Sequence, residues 1–355
     1  MFGYNLLGFG GGNAATYISS VQTGSIAIGS GATSNTATIN SVDTTKSVCF
    51  LNGWKTGNSA QDWNKQECIV ELTNATTVTA KRGSSDTATS TVYYTVVEFT
   101  SMAVASIQSG EINISSGASN TATITSVGTS NSVCVLRGSN TTFDNNQSST
   151  FCEIQLTNAT TVTAIRNATS NSVSAAYTVI EFQSGIIQSV QNIDDTASTT
   201  SATQTDESIS AVTMANTAVF WRGGQLIAAT FFGANTIFYC QLTSTTNVGF
   251  FKGGSSNGTR SLRATVCEFK TGIIKSLNRG TISLSSGNTS NTATVTAVNI
   301  NKSLLNFQYF STDNSTVNQD DNASACILTN STTITASRIA STGNVVVAYE
   351  LVEFY

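Results

Sequence analysis

Proline and histidine are both absent from this 355-residue chain, and charged residues make up only 10% of it. Without histidine there is no imidazole general base and no imidazole metal ligand, so Ser-His-acid and Cys-His catalytic systems are excluded within one chain. Carboxylate chemistry stays open, as does a histidine supplied by a partner. The 16 lysines and arginines are scattered and outnumbered by 20 acidic residues, for a formal net charge of -4. That balance argues against a phosphate-binding surface, and no nucleic acid is expected as a partner. Seven cysteines are too few for a disulfide scaffold, and their odd number leaves at least one unpaired or paired between chains. No CxxC pair occurs, so neither a structural zinc nor any other cofactor is expected. No stretch reaches the ~18 apolar residues of a membrane span. The opening "MFGYNLLGFGGG" lacks the basic region of a secretory signal. The expectation is synthesis in the cytoplasm, or exit by a route without a cleaved leader.

What is present is 39% hydrophobic residues, spaced at short intervals among Thr, Ser, Asn and Gly. Such spacing favours short strands and tight turns over disorder. "LTNATTVTA" occurs at Leu72–Ala80 and again at Leu156–Ala164, and "LTNSTTITA" follows at Leu328–Ala336. Glu-Phe pairs close four units at Phe99, Phe182, Phe269 and Phe354, separated by 83, 87 and 85 residues. Four copies at one period mark an internal repeat. The units are bounded as 18–99, 104–182, 186–269 and 273–355, the third being the most divergent, and 1–17 form a separate N-terminal arm.

Within a unit the apolar residues alternate. Ile26 and Ile28, Ile112 and Ile114, and Ile282 and Leu284 each share a face. In "CEIQL", Cys152, Ile154 and Leu156 face one way and Glu153 and Gln155 the other. No helical periodicity of useful length is found. The predicted fold is all-β: tandem small antiparallel β-sandwich or barrel-like domains of about 84 residues, six or seven strands each. Linkers of three residues predict a stiff array, roughly 120–140 Å long if placed end to end. A bent or ring-like course fits the same linkers.

Several residues stand out. Arg82, Arg166, Lys252 and Arg338 share one repeat position, and Glu98, Glu181, Glu268 and Glu353 another. Structural ion pairs or strand-edge charges are the favoured reading. Repeated contacts to a neighbouring subunit are the alternative. Cys49 matches Cys134 and Cys68 matches Cys152; an intra-unit disulfide is one reading, a small buried hydrophobe the preferred one. "NATT" at Asn74 and Asn158 reads as a turn into a β-branched strand, ahead of a glycosylation site. Trp54, Trp63 and Trp221, and more weakly Tyr93 and Tyr94, are candidate glycan-stacking or interface residues, with core packing as the competing role. Phe2, Tyr4, Leu6, Leu7 and Phe9, interleaved with glycines, read as a docking peptide; a first-domain strand is the plainer alternative. Asp194, Asp195 and Asp206–Glu207 are the acidic groups that a carbohydrate-active enzyme would use, but their surroundings read as exposed loops.

The units "GIIKSLNRGTISLSSGNTSNTATVTAV", "LTNSTTITASR" and "AYELVEF" resemble the Thr/Ser/Asn-rich β repeats of virion proteins of tailed bacteriophages. The resemblance covers nearly the whole repeat region and rests on composition and repeat style. The chain departs from long fibres in having no coiled coil and no His-rich tip. The resemblance implies a non-enzymatic fibre, spike or capsid decoration protein, located in the virion and anchored by its arm. Its partners would be its own copies, as a homotrimer, other virion proteins, and host surface glycans. A bacterial adhesin or extracellular filament subunit is the alternative.

Overall fold

The computed structural model describes residues 16–59, 63–142, 151–167, 171–195, 202–228, 237–254, 259–313 and 318–355. Each unit contributes six strands. The first holds β1 (Ile18–Ile28), β2 (Ser34–Thr38), β3 (Ser47–Thr56), β4 (Cys68–Asn74), β5 (Thr77–Arg82) and β6 (Ser90–Phe99). The second holds β7 (Val104–Ile114), β8 (Ser119–Thr123), β9 (Ser132–Thr141), β10 (Glu153–Asn158), β11 (Thr161–Ile165) and β12 (Val173–Phe182). The third holds β13 (Ile187–Asp195), β14 (Gln204–Ser208), β15 (Thr217–Ala228), β16 (Phe238–Ser244), β17 (Asn247–Lys252) and β18 (Thr259–Phe269). The fourth holds β19 (Ile274–Leu284), β20 (Ser290–Thr294), β21 (Ser303–Thr312), β22 (Ala325–Asn330), β23 (Thr333–Ser337) and β24 (Val345–Phe354). Two single-turn helices, α1 (Trp63–Gln66) and α2 (Gln319–Asn322), lie between third and fourth strands.

Local chemistry explains the strands. β5 alternates between half-buried Thr77, Thr79 and Lys81 and buried Val78, Ala80 and Arg82, as a strand with one buried face must. The turn before it is set by Asn74, whose Oδ1 accepts from the Thr76 amide at 2.9 Å. Asn158 and Asn330 repeat this with Thr160 and Thr332, so the "TN-T" signature is an Asx turn in all three. β2, β8 and β20 all read "SNTAT" and lie at sheet edges. In each, an asparagine protects that edge. Asn35 donates to Ala27 O at 2.8 Å and accepts from the Thr36 amide at 2.9 Å, and Asn120 and Asn291 do the same.

Every unit pairs its first, sixth and third strands in that order, and separately its second, fifth and fourth. The hydrogen bonding then crosses unit boundaries. Ala325 of β22 pairs with Gly53 of β3, Glu153 of β10 with Gly223 of β15, and Tyr239 of β16 with Tyr309 of β21. At the remaining junction, β4 approaches β9 so closely that a Cβ on Gly138 would lie 2.1 Å from Cys68 O. Counted by hydrogen-bonded sheet, the result is a five-bladed β-propeller. Counted by sequence unit it has four quarters, three of the four junctions being bridged by ladder pairs. This corrects the expectation of tandem β-sandwich or barrel-like domains, and with it the end-to-end array. The reason is that the fourth strand of each unit is spent on the next unit's third strand, which no linear spacing announces.

Closure is visible along the axis. Phe99, Phe182, Phe269 and Phe354 meet edge-to-face in a complete cycle, with centroids 6.1, 5.4, 5.7 and 6.2 Å apart. Such contacts contribute about 0.5–1.5 kcal/mol each beyond area burial. They sit in one core with Val48, Phe50, Val133, Val135, Ala218, Phe220 and Leu304, drawn from all four units. The polar residue before each bulge in the third strand reaches into the preceding unit: Asn52 donates to Leu305 O, Arg137 to Val70 O, Arg222 to Ile154 O and Gln308 to Val219 O. Three junctions are turns in the chain, closed by Ala103 N to Thr100 O, Ile186 N to Gln183 O and Ile273 N to Lys270 O. The fourth makes the same hydrogen bond without a covalent link, from Tyr17 N to Tyr355 O at 3.1 Å.

Candidate functional site: the axial pocket

The third strands run side by side near the axis, and each breaks register at an equivalent place: Leu51/Trp54, Leu136/Ser139, Trp221/Gly224 and Phe307/Phe310. A bulge there needs a left-handed residue, and Gly53, Gly138 and Gly223 supply it with φ of 91°, 101° and 100°. The fourth unit places Tyr309 at this position, with φ 74°. A bulky residue held there is strained, by roughly 1–3 kcal/mol. Its ring stacks on Trp221 (5.8 Å, 19°) and lies tilted against Trp54 (5.7 Å, 56°).

These rings help wall a cavity of about 50 Å³ near the axis. Phe307, Phe151 and Phe238 add to its apolar lining. One carboxylate enters it. Glu67 is 2% exposed, and its Oε1 has no hydrogen-bond partner. Counting back from the equivalent leucines Leu72, Leu156, Leu242 and Leu328, the other units place Phe151, Ile237 and Ala323 where Glu67 stands. Burial pushes the Glu67 carboxyl well above the ordinary carboxylate range. It also lies near enough to Tyr309 to add to the upward push that burial exerts on that hydroxyl. The Trp54 indole N–H is likewise buried and unpartnered.

Among the described residues, the pocket holds no activated nucleophile. Burial raises the Cys152 thiol to about 12, so it stays protonated at neutral pH. All seven cysteines stand outside any disulfide, are buried and are shifted upward by burial, as small hydrophobes are.

The residues singled out from sequence fall in different places. Trp54 and Trp221 meet in the pocket instead of on an outer surface. Trp63 opens α1, and its side chain lies outside the described residues. Tyr94 is buried, while the Tyr93 ring carries Lys55 Nζ at 5.1 Å. Phe2, Tyr4, Leu6, Leu7 and Phe9 lie outside the described residues. The repeated charges do not pair with each other. Arg82, Arg166 and Arg338 are buried and donate to backbone carbonyls, among them Gly29, Gly117 and Asn288. Lys252 is buried at the same position. Each glutamate ties its unit's first strand to the start of its third. Glu98 accepts from Ser20 Oγ and Asp43 N, Glu181 from Ser106 Oγ and Gly128 N, and Glu268 from Ser189 Oγ and Thr213 N. Glu353 accepts from Ser276 Oγ and Asn299 N, and adds Lys275 at 2.8 Å. Asp194 is held by Arg222 and Arg263 at 3.3 and 3.2 Å, and Asp195 accepts from Thr205 Oγ1. Asp206 accepts from Gln204 and, with Glu207, lies on β14.

Glu67 and Tyr309 were not among the residues the sequence pointed to. Their signal was positional: each breaks a column of the repeat that the other three units fill with apolar residues or with glycine. Comparison of the chain with protein-family models, with curated proteins and with solved structures finds no match.

Proposed function

We propose that the protein is a non-enzymatic virion structural protein of a tailed bacteriophage, a surface decoration or receptor-facing component docked by its N-terminal arm. The observation that carries this reading is the polarity of the axis. The chain enters the ring beside the phenylalanine cycle, where Tyr17 meets Tyr355. The pocket lies further along the third strands, at their bulges. One end is thus suited to anchoring and the other to recognition. The outer sheets carry paired threonine hydroxyls, as at Thr73–Thr79 and Thr157–Thr163, in place of charge. Such a surface suits close packing against other virion proteins or contact with host glycans. The Phe cycle is satisfied inside one chain, so a homotrimer would form through outer surfaces.

Deletion of residues 1–12 tests the anchor. The shortened chain should keep the thermal transition of the full protein and fail to co-sediment with assembled particles. Undiminished incorporation would overturn the docking role.

A further inference from the structure

Three departures from the fourfold pattern converge in the axial pocket. Glu67 replaces the apolar residues of the other units, Tyr309 replaces a bulge glycine at the cost of a left-handed backbone, and Trp54 leaves its N–H unpartnered. Elsewhere in the ring, two buried glutamates have arginine partners. Glu153 has Arg263 at 2.6 Å, and Glu350 has Arg279 at 3.2 Å. Among the described residues, no lysine or arginine lines the pocket around Glu67.

A buried, unpartnered carboxylate calls for a proton or a cation. Aromatic faces around it select which cation. The negative faces of indole and phenol rings attract alkylated ammonium groups, which shed water readily. A hard metal ion instead wants six or more oxygen ligands, which these walls do not supply. A cavity of about 50 Å³ has room for a head group and not for a large ligand. The free indole N–H would take an oxygen near that head group.

We propose that the axial pocket binds a small alkylammonium compound, its cation held by the Glu67 carboxylate and faced by the rings of Trp54, Trp221 and Tyr309. The pocket's chemistry is independent of where the protein resides.

Choline is a suitable probe, with 3,3-dimethylbutan-1-ol as its uncharged isostere. Titration of the full chain, followed by calorimetry and tryptophan fluorescence, should saturate with choline at a concentration at least about tenfold below that needed for the alcohol. Glu67→Gln should abolish that preference while the thermal transition persists. Tyr309→Gly, which restores the residue used by the other units, should weaken choline binding at least about tenfold. Equal binding of choline and the alcohol, absence of saturation by choline, or a preference surviving in Glu67→Gln would each overturn the assignment. Should either variant fail to fold, the choline–alcohol comparison on the unaltered chain decides.

Discussion

Glu67 and the bulge residues show how single positions carry the departures from symmetry. A Cβ on Gly138 or Gly223 would sit 2.1 or 2.2 Å from a neighbouring carbonyl, so close backbone approach, in addition to φ, requires glycine there. Tyr309 occupies the equivalent position against β16. Glu67 makes stability depend on pH in a definite direction. Its native carboxyl titrates above the ordinary value of 4.5, so the folded state binds the proton more tightly than the unfolded state. The associated stability is complete below that ordinary value and is lost as pH rises through the raised native value, at about 1.4 kcal/mol per pH unit. Glu67→Gln removes this loss. Its melting temperature should match that of the parent near pH 4 and exceed it increasingly toward pH 8. Parallel melting curves at all pH values would contradict the buried, unpartnered state of this carboxylate.

At the scale of strands, alternation and turn chemistry were legible. The buried positions of β5 and the asparagine turn before it follow from "LTNATTVTA". In "CEIQL", Glu153 lies on the face opposite Cys152, Ile154 and Leu156, and it too is buried, against Gly223 and Arg263 of the next unit. Period two fixes which residues share a face, but not whether a neighbour covers the second face. The repeated glutamates were seen as a column, but their role as ties between first and third strands needed the register. Glu181→Ala would leave the Gly128 amide and Ser106 hydroxyl without this acceptor. It should lower unfolding free energy by about 1–3 kcal/mol in urea titration, without changing the circular dichroism of the native state. No loss would mean that water replaces the tie.

At the scale of the molecule, the ring has one open seam. Three junctions have two residues between the hydrogen-bonded positions, and at the fourth Tyr17 N bonds Tyr355 O across a chain break. Joining Tyr355 to Tyr17 through Ser-Gly and opening the chain between Ser101 and Met102 should therefore give a permuted protein with the same fold. Its thermal unfolding, followed by circular dichroism and by tryptophan fluorescence, should be one coincident transition, because the axial core draws on all four units. Separate transitions, or failure of the permuted chain to fold, would contradict a single closed ring.

The sequence by itself determined the alternating strands, the four units, the asparagine turns and the absence of histidine chemistry. These depend on residues close together in the chain or on composition, and local sterics and hydrogen bonding settle them. Tertiary structure decided the closure, the sharing of the fourth strand with the next unit, and the meeting of Glu67, Trp54, Trp221 and Tyr309 around one cavity. Those contacts join residues up to 338 positions apart in the chain, as Tyr17 and Tyr355 are. Their energies come from packing and backbone approach across unit boundaries, which repeat spacing does not encode.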